Sequence, residues 1–168
     1  MTQVRARSVY FGITCVSLGI GYVVYFLGRP GPAIYAIPSI IEHWILVHPV
    51  VAEISGQLPS FFHTYAFILL TFIVLGTLSR FNLYLSISLW ATVEVLFEVG
   101  QHDLINSSII DIVPGWFERV PVLDISETYF LRGTFDPLDL LAIVIASVCA
   151  WLTVQLAQGK GVHHETNN

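Results

Sequence analysis

Residues 137–157, PLDLLAIVIASVCAWLTVQLA, form an apolar run of 21 residues with one charged side chain, Asp139. An apolar helix of about 20 residues spans the hydrocarbon core of a bilayer. Three further stretches have a similar length and composition and lie near 8–27, 59–78 and 83–99. The sequence therefore predicts an all-α integral membrane protein. We expect a four-helix bundle in one domain (1–158), followed by a polar, disordered tail (159–168).

The composition supports burial in lipid. Of the 168 residues, 55% are hydrophobic and 11% are charged, and the mean hydropathy is +0.73. A soluble domain usually has about 25% charged residues, so this chain has too few to cover a surface facing water. With seven Lys and Arg and a net charge of −5, the chain lacks the basic surface that nucleic-acid binding requires. Cys15 and Cys149 lie in apolar runs and indicate packing residues, so no metal and no cofactor is predicted.

Two long connections, 28–58 and 100–135, separate the predicted helices, and both are partly apolar. The stretch 33–52 is interrupted by prolines, histidines and an acid. We interpret it as a helix that lies in the interface or re-enters the membrane, with a fifth span as the alternative. The stretch 109–123 is predicted to be a second interfacial piece, anchored at headgroup level by Trp116.

The basic residues that flank the helices set an orientation. In a four-helix topology Arg5, Arg7, Arg80 and Lys160 all fall on one side, which the positive-inside rule assigns to the cytoplasm. The protein is therefore predicted to lie in an inner or plasma membrane with both termini cytoplasmic and both long connections outside. A fifth span would place Arg80 on the side opposite Arg5 and Arg7.

Polar side chains concentrate near the predicted outer ends of the helices. Glu94 and Glu98 are four residues apart on the third helix and share a face, and Gln101 continues that face. His63 lies near the start of the second helix. Ionisable groups at membrane depth usually face the interior of a bundle, so these residues are site candidates. For Glu94, a hydrogen bond to another helix as a neutral acid is an equal alternative.

The aspartates of the fourth helix have a structural explanation. Asp136 followed by Pro137 fits an N-cap with proline in the first helical position. Asp139 then falls in the first turn, where an acid interacts favourably with the helix dipole. Arg132 is placed to pair with either aspartate or with Glu98.

Three short sequence motifs in the chain resemble motifs of the VanZ-like membrane proteins. These are small four-helix proteins with a His near the start of the second helix, an E-x-x-Q motif at the end of the third, and an Arg and an Asp that precede or begin the fourth. The corresponding motifs in this chain are FFHTYAFILL, EVGQ and RGTFDPLDLLA, within about residues 59–150. The residues that carry them are His63, Glu98, Gln101, Arg132 and Asp139.

The chain departs from the family pattern in its last helix. Ile143 stands where the family usually has Asn, and Ala146 and Ser147 stand where it has glycines. The loop between the E-x-x-Q motif and the Arg is also longer than is usual in the family. The family name comes from resistance to a glycopeptide antibiotic that acts on the cell envelope, so the resemblance implies a role in the envelope.

The main functional hypothesis is that the chain binds or modifies a lipid-linked envelope molecule at the outer face. Glu98 and His63 are the candidates for an acid or base. Arg132 would hold a phosphate through its forked donors. The candidate ligand-binding residues are Gln101, Arg132, Asp139 and Glu94.

Two other hypotheses assign the same residues differently. In a non-enzymatic accessory or assembly subunit, the polar groups would lock helices together and the outer connections would dock a membrane protein partner. In a proton- or cation-coupled carrier, Glu94 and Glu98 would line the pathway, and the chain would need to oligomerise.

Overall fold

A computed structural model describes residues 3–28, 56–120, 123 and 126–165 of the chain. These residues form α-helices and one short 3-10 helix, with no strand among them. The predicted interfacial or re-entrant helix at 33–52 lies outside the described residues. The elements are α1 (Gln3–Gly28), α2 (Leu58–Val74), α3 (Arg80–Gly100), α4 (Asn106–Ile112), a 3-10 helix (Gly115–Arg119), α5 (Ser126–Arg132) and α6 (Pro137–Glu165).

Three of these helices are long and apolar enough to cross a membrane. They correspond to Gln3–Tyr25, Arg80–Gly100 and Pro137–Gln158. Large apolar side chains cover their outer surfaces, including Val144 and Val148 on α6, which are 59% and 50% exposed. Such faces suit lipid, so the sequence prediction of an all-helical, multi-pass membrane protein is confirmed at this level. The remaining apolar helix, α2, has 17 residues and is shorter than these spans.

Helix α2 is the central element because it packs against α1, α3 and α6. Its residues Ile68, Leu69 and Phe72 are fully buried. The face of α1 that meets α2 carries small or aromatic side chains at helical spacing, with Tyr10 against Phe72 at a ring distance of 5.9 Å. The buried residues of this face are Ala6, Tyr10, Thr14, Ser17 and Gly21.

The contacts between helices fix their relative directions. Helices α1 and α2 are antiparallel, because Tyr10 contacts Phe72 near the end of α2. Helices α2 and α6 run the same way. The side chain of Gln57, just before α2, bonds Asp136, just before α6, and the Gln158 amide donates to the Leu78 carbonyl oxygen at 3.2 Å.

Two chemically different ends result. The basic end holds the start of α1, the α2–α3 turn and the last turns of α6, and it carries Arg5, Arg7 and Arg80. The polar end holds the start of α2, the end of α3, the start of α6 and the short helices between them. The orientation in the membrane was predicted from a four-helix topology that groups these helix ends in the same way.

Four helix boundaries differ from those expected from hydropathy, and the first is the start of α1, at Gln3 instead of near residue 8. Helix α2 ends at Val74, and the turn that follows uses Gly76 at φ +85°, a left-handed conformation that glycine adopts without strain. Helix α3 begins at Arg80 because the Ser79 hydroxyl caps it, accepting the Asn82 N–H at 3.2 Å.

The last helix runs past the predicted end of its apolar segment, into the stretch 159–168 that the sequence predicts to be a disordered polar tail. Helix α6 continues to Glu165, and only residues 166–168 of that segment lie outside the described part. Hydropathy marks where the apolar surface ends, whereas a formed helix gains one backbone hydrogen bond for each residue added beyond that point.

Candidate functional site

A buried hydrogen bond joins α3 to the start of α6 at the polar end. Glu98 lies in the last turn of α3 and is 7% exposed, and its Oε1 accepts the backbone N–H of Asp136 at 2.6 Å. Asp136 caps α6 as predicted, because its Oδ1 accepts the Leu138 N–H at 2.9 Å. Its other oxygen, Oδ2, accepts the side-chain amide of Gln57 at 2.8 Å. Asp136 therefore ties together the starts of α2 and α6 and the end of α3.

The role of Glu98 follows from the logic of helix capping. In a capping box, the side chain at the third helical position accepts the N–H of the cap residue. Asp139 occupies that position in α6, but the N–H of Asp136 bonds to Glu98 from another helix instead. Glu98 thus completes the cap of α6 from outside that helix, and its carboxylate fixes how α3 and α6 meet.

Gln101, directly after α3, connects this end of α3 to α5 and to the residue that follows α5. It is 8% exposed, and its side chain hydrogen-bonds the Tyr129 hydroxyl. A Cβ atom on Gly133 would overlap the Gln101 amide, so glycine is what lets the backbone after α5 approach so closely. The Gly133 N–H donates to the Tyr129 carbonyl oxygen at 2.9 Å and closes the end of α5.

Helices α4 and α5 pack on the end of α3. A Cβ atom on Gly100 would lie 2.7 Å from the Phe130 ring and 2.9 Å from the end of Ile109. The Phe130 ring also stacks on Phe97 at 5.8 Å. These apolar contacts hold α5 where Tyr129 reaches Gln101.

Tyr129 is a titratable residue of α5 that lies near Glu94, Glu98 and Gln101. Burial raises the pKa of Tyr129 to about 12, and the negative charges of Glu94 and Glu98 act in the same direction. The hydrogen bond with Gln101 opposes these effects and is outweighed. Tyr129 is therefore a neutral hydrogen-bonding group at physiological pH.

The raised pKa of Tyr129 predicts a late alkaline transition. Because the folded state favours the protonated phenol, its contribution to stability is present at neutral pH and is lost as the pH rises from 10.0 to about 12. Tyrosinate absorbance should show a transition near pH 12 whose amplitude is smaller in Tyr129→Phe. Tyr84→Phe, which removes an exposed tyrosine of α3, should leave that transition in place. An equal decrease in both variants would contradict the assignment.

Two further carboxyl groups lie close to Glu98. Glu94 is one turn earlier on α3 and half-buried, and it interacts electrostatically with Asp139 and Glu98. Asp139 is half-buried in the first turn of α6. We call the group formed by Glu94, Glu98, Gln101, Tyr129, Asp136 and Asp139 the polar cluster. Within the described ranges, no group of three or more His, Cys, Asp or Glu side chains is placed to hold a metal ion.

The remaining predicted residues are His63 and Arg132. His63 is exposed on α2, and its ring contacts Phe67 at 5.8 Å, which in turn stacks on Trp90 at 4.6 Å. No hydrogen bond among the described residues joins His63 to Glu98. Arg132 is the last residue of α5, directly before Gly133, and its side chain is not among those described.

Two members of the polar end were not identified from sequence. Tyr129 lies three residues before Arg132, and Gln57 lies directly before α2. The available signal for Gln57 was its place at a helix start on the same side as the other candidates. Tyr129 had no comparable signal, because its role depends on how α5 folds back on α3.

An apolar surface lies beside the polar cluster. Helix α4, the 3-10 helix and α5 surround a cavity of about 210 Å³, with Glu127 at one wall and Phe117 at another. Leu104, Ile112 and Trp116 are 83%, 76% and 57% exposed on the adjoining segment. The polar end therefore combines buried carboxyl and amide groups with an exposed apolar rim.

No protein-family model, no curated protein and no solved structure matches this chain. What the fold and the polar end define is a class: an all-helical, multi-pass membrane protein with a partly buried polar cluster at one end.

Proposed function

We propose that this chain is a VanZ-like integral membrane protein of the cell envelope and that its polar end binds a lipid-linked envelope molecule. One observation carries the proposal. The E-x-x-Q motif (98–101) and the Arg-to-Asp motif (132–139) lie in separate segments of the chain and contact each other at two points. Glu98 accepts the Asp136 N–H, and Gln101 lies against Gly133. Residues that carry a common function are expected to meet in this way.

The proposal includes a four-span topology in an inner or plasma membrane. Helix α2 is close to the minimum length for a span, which is about 17 residues. Its contacts with three other helices shield it from lipid, so an exact match to bilayer thickness is not required. The positive-inside rule then places the basic end in the cytoplasm and the polar end outside.

In this topology the short elements at the polar end lie at the membrane interface. Trp116 carries an amphipathic ring of the kind enriched at headgroup level, and Leu104 and Ile112 extend toward the acyl chains. A lipid-linked ligand would then reach the polar cluster from the outer leaflet along this apolar rim.

The chemistry of the polar cluster suits a headgroup rich in donors. Glu94, Glu98 and Asp139 supply acceptor oxygens for the hydroxyl or amino groups of a sugar or amino acid. Arg132 would bind a phosphate with its planar, forked donors. For a reaction on the bound molecule, Glu98 or His63 would act as the acid or base.

Binding of a polyprenyl diphosphate that carries one amino sugar tests this proposal. We expect Glu98→Gln and Arg132→Ala each to weaken binding by about tenfold, since each removes one charge-assisted contact. Glu127→Gln and Arg119→Ala change exposed residues of the same end outside the cluster and should bind as the parent protein does. Unchanged binding in both cluster variants would rule the proposal out.

A second candidate is a non-enzymatic accessory or assembly subunit. The observation that favours it is that Asp136 already joins three helix ends, as a purely structural lock would. The exposed rim at Leu104, Ile112 and Trp116 would then contact a membrane protein partner. Purification in mild detergent discriminates, because this function requires a stoichiometric partner that is lost when the rim is made polar.

A further inference from the structure

The basic end brings arginines of two helices to one turn of the backbone. Arg7 of α1 lies against the α2–α3 turn, because a Cβ atom on Gly76 would be 3.9 Å from its Nη2 atom. Arg80 follows four residues after Gly76 and begins α3. Arg5 is exposed one half-turn from Arg7 on the same helix end.

One nitrogen of the Arg7 guanidinium, Nε, lacks an acceptor among the residues that the structure describes. This atom is buried. A buried donor left without a partner is unfavourable by about 1–3 kcal/mol, more for a charged group. Such a group in a folded protein calls for a ligand, an ion or water.

Among the residues that the structure describes, no acidic side chain lies at the α2–α3 turn. The described acids other than Glu165 lie on the second half of α3, in the turn after it, on the short helices of the polar end, and on the first turn of α6 and the residue before it. Glu165 is seven residues beyond Gln158, which contacts the α2–α3 turn, and is therefore about 10 Å further along α6. The arginines thus form a local positive site in a chain whose net charge is −5.

We infer that Arg7 and Arg80, together with the turn between them, bind the phosphate of an anionic phospholipid headgroup. Guanidinium groups bind phosphate oxygens with two parallel hydrogen bonds, and the first backbone N–H groups of a helix such as α3 also favour an anion. The ligand is a lipid and not a free phosphate because apolar side chains flank the turn. Val74 and Phe81 are 75% and 74% exposed there and would contact its acyl chains.

This site is separate from the proposed function. It lies at the opposite end of the bundle from the polar cluster, and none of its residues takes part in binding there. A lipid held at this turn would tie α1 to the α2–α3 hairpin, since its phosphate would bridge Arg7 and Arg80.

Titration of the purified full chain with phosphatidylglycerol, followed by native mass spectrometry, tests the inference. We expect phosphatidylglycerol to bind at least about tenfold more tightly than phosphatidylcholine of the same acyl chains. Arg7→Gln and Arg80→Gln should each remove about tenfold of that preference. Arg119→Gln, which changes an exposed arginine at the polar end, should keep it.

Each alternative outcome would overturn the inference. Equal binding of the two phospholipids would show an unspecific lipid contact. Displacement of phosphatidylglycerol by inorganic phosphate alone would show a free-phosphate site. If Arg7→Gln does not fold, Arg80→Gln still decides, because Arg80 is exposed and an unchanged preference in that variant contradicts the bridging site.

Discussion

Replacing Glu98 with alanine is expected to lower the free energy of unfolding by about 2 kcal/mol, the penalty for leaving a buried donor without its acceptor. The donor is the backbone N–H of Asp136, which bonds to Glu98 Oε1 at 2.6 Å. Loss of this bond also frees the start of α6 from the end of α3. Unfolding in an SDS titration, monitored by tryptophan fluorescence, measures the change.

Glu98→Gln is the matched control because glutamine keeps an oxygen in the same place. We expect this variant to retain most of the stability that alanine loses, since the Asp136 N–H still has an acceptor. The two substitutions separate the structural role of Glu98 from its charge. Equal stability of the alanine variant and the parent protein would show that the bond to Asp136 does not hold α6 in place.

The pair also sharpens the functional test. A Glu98→Gln protein that is stable but no longer binds the lipid-linked probe would assign the carboxylate to the ligand. A stable protein with unchanged binding would leave Glu98 only the structural role of completing the cap of α6. Stability and binding therefore have to be measured on the same preparations.

The helices of this protein could be predicted from sequence because hydropathy reports burial in lipid directly. The segments containing α1, α3 and α6 stand out by length and composition alone. The cap at Asp136 was also predictable, because an Asp-Pro pair before an apolar run has a local physical meaning. These features depend on neighbouring residues only.

The polar cluster was predictable in part. The E-x-x-Q and Arg-to-Asp motifs indicated which residues lie at one end of the bundle. They did not indicate that Glu98 accepts a hydrogen bond from the backbone N–H of Asp136. That bond joins residues 38 positions apart, and no local pattern encodes it. His63 lies near the start of α2, at the same end of the bundle as the polar cluster. The rotation of α2 about its axis leaves the His63 side chain exposed, and the sequence did not predict that rotation.

The second large effect is expected at the interface of α1 and α2. A Cβ atom on Gly21 would lie 2.9 Å from the Cβ atom of Phe62. The Phe62 Cβ is bonded to the backbone, so it cannot move away unless the helices shift apart. We expect Gly21→Leu to lower the free energy of unfolding by about 3 kcal/mol, the upper end of the usual range for overpacking.

Gly19→Leu is the control, because a Cβ atom there would meet no atom within 4 Å and the leucine adds the same volume two residues away on the same helix. Both substitutions replace glycine with a good helix former, which favours α1 equally in the two variants. The difference in unfolding free energy between them therefore isolates the contact with Phe62. Small residues allow close helix approach in membranes, and this comparison asks whether α1 depends on it. If the two variants unfold alike, the packing of α1 on α2 tolerates a leucine at Gly21, and the close approach of the two helices is not what holds α1 in the bundle.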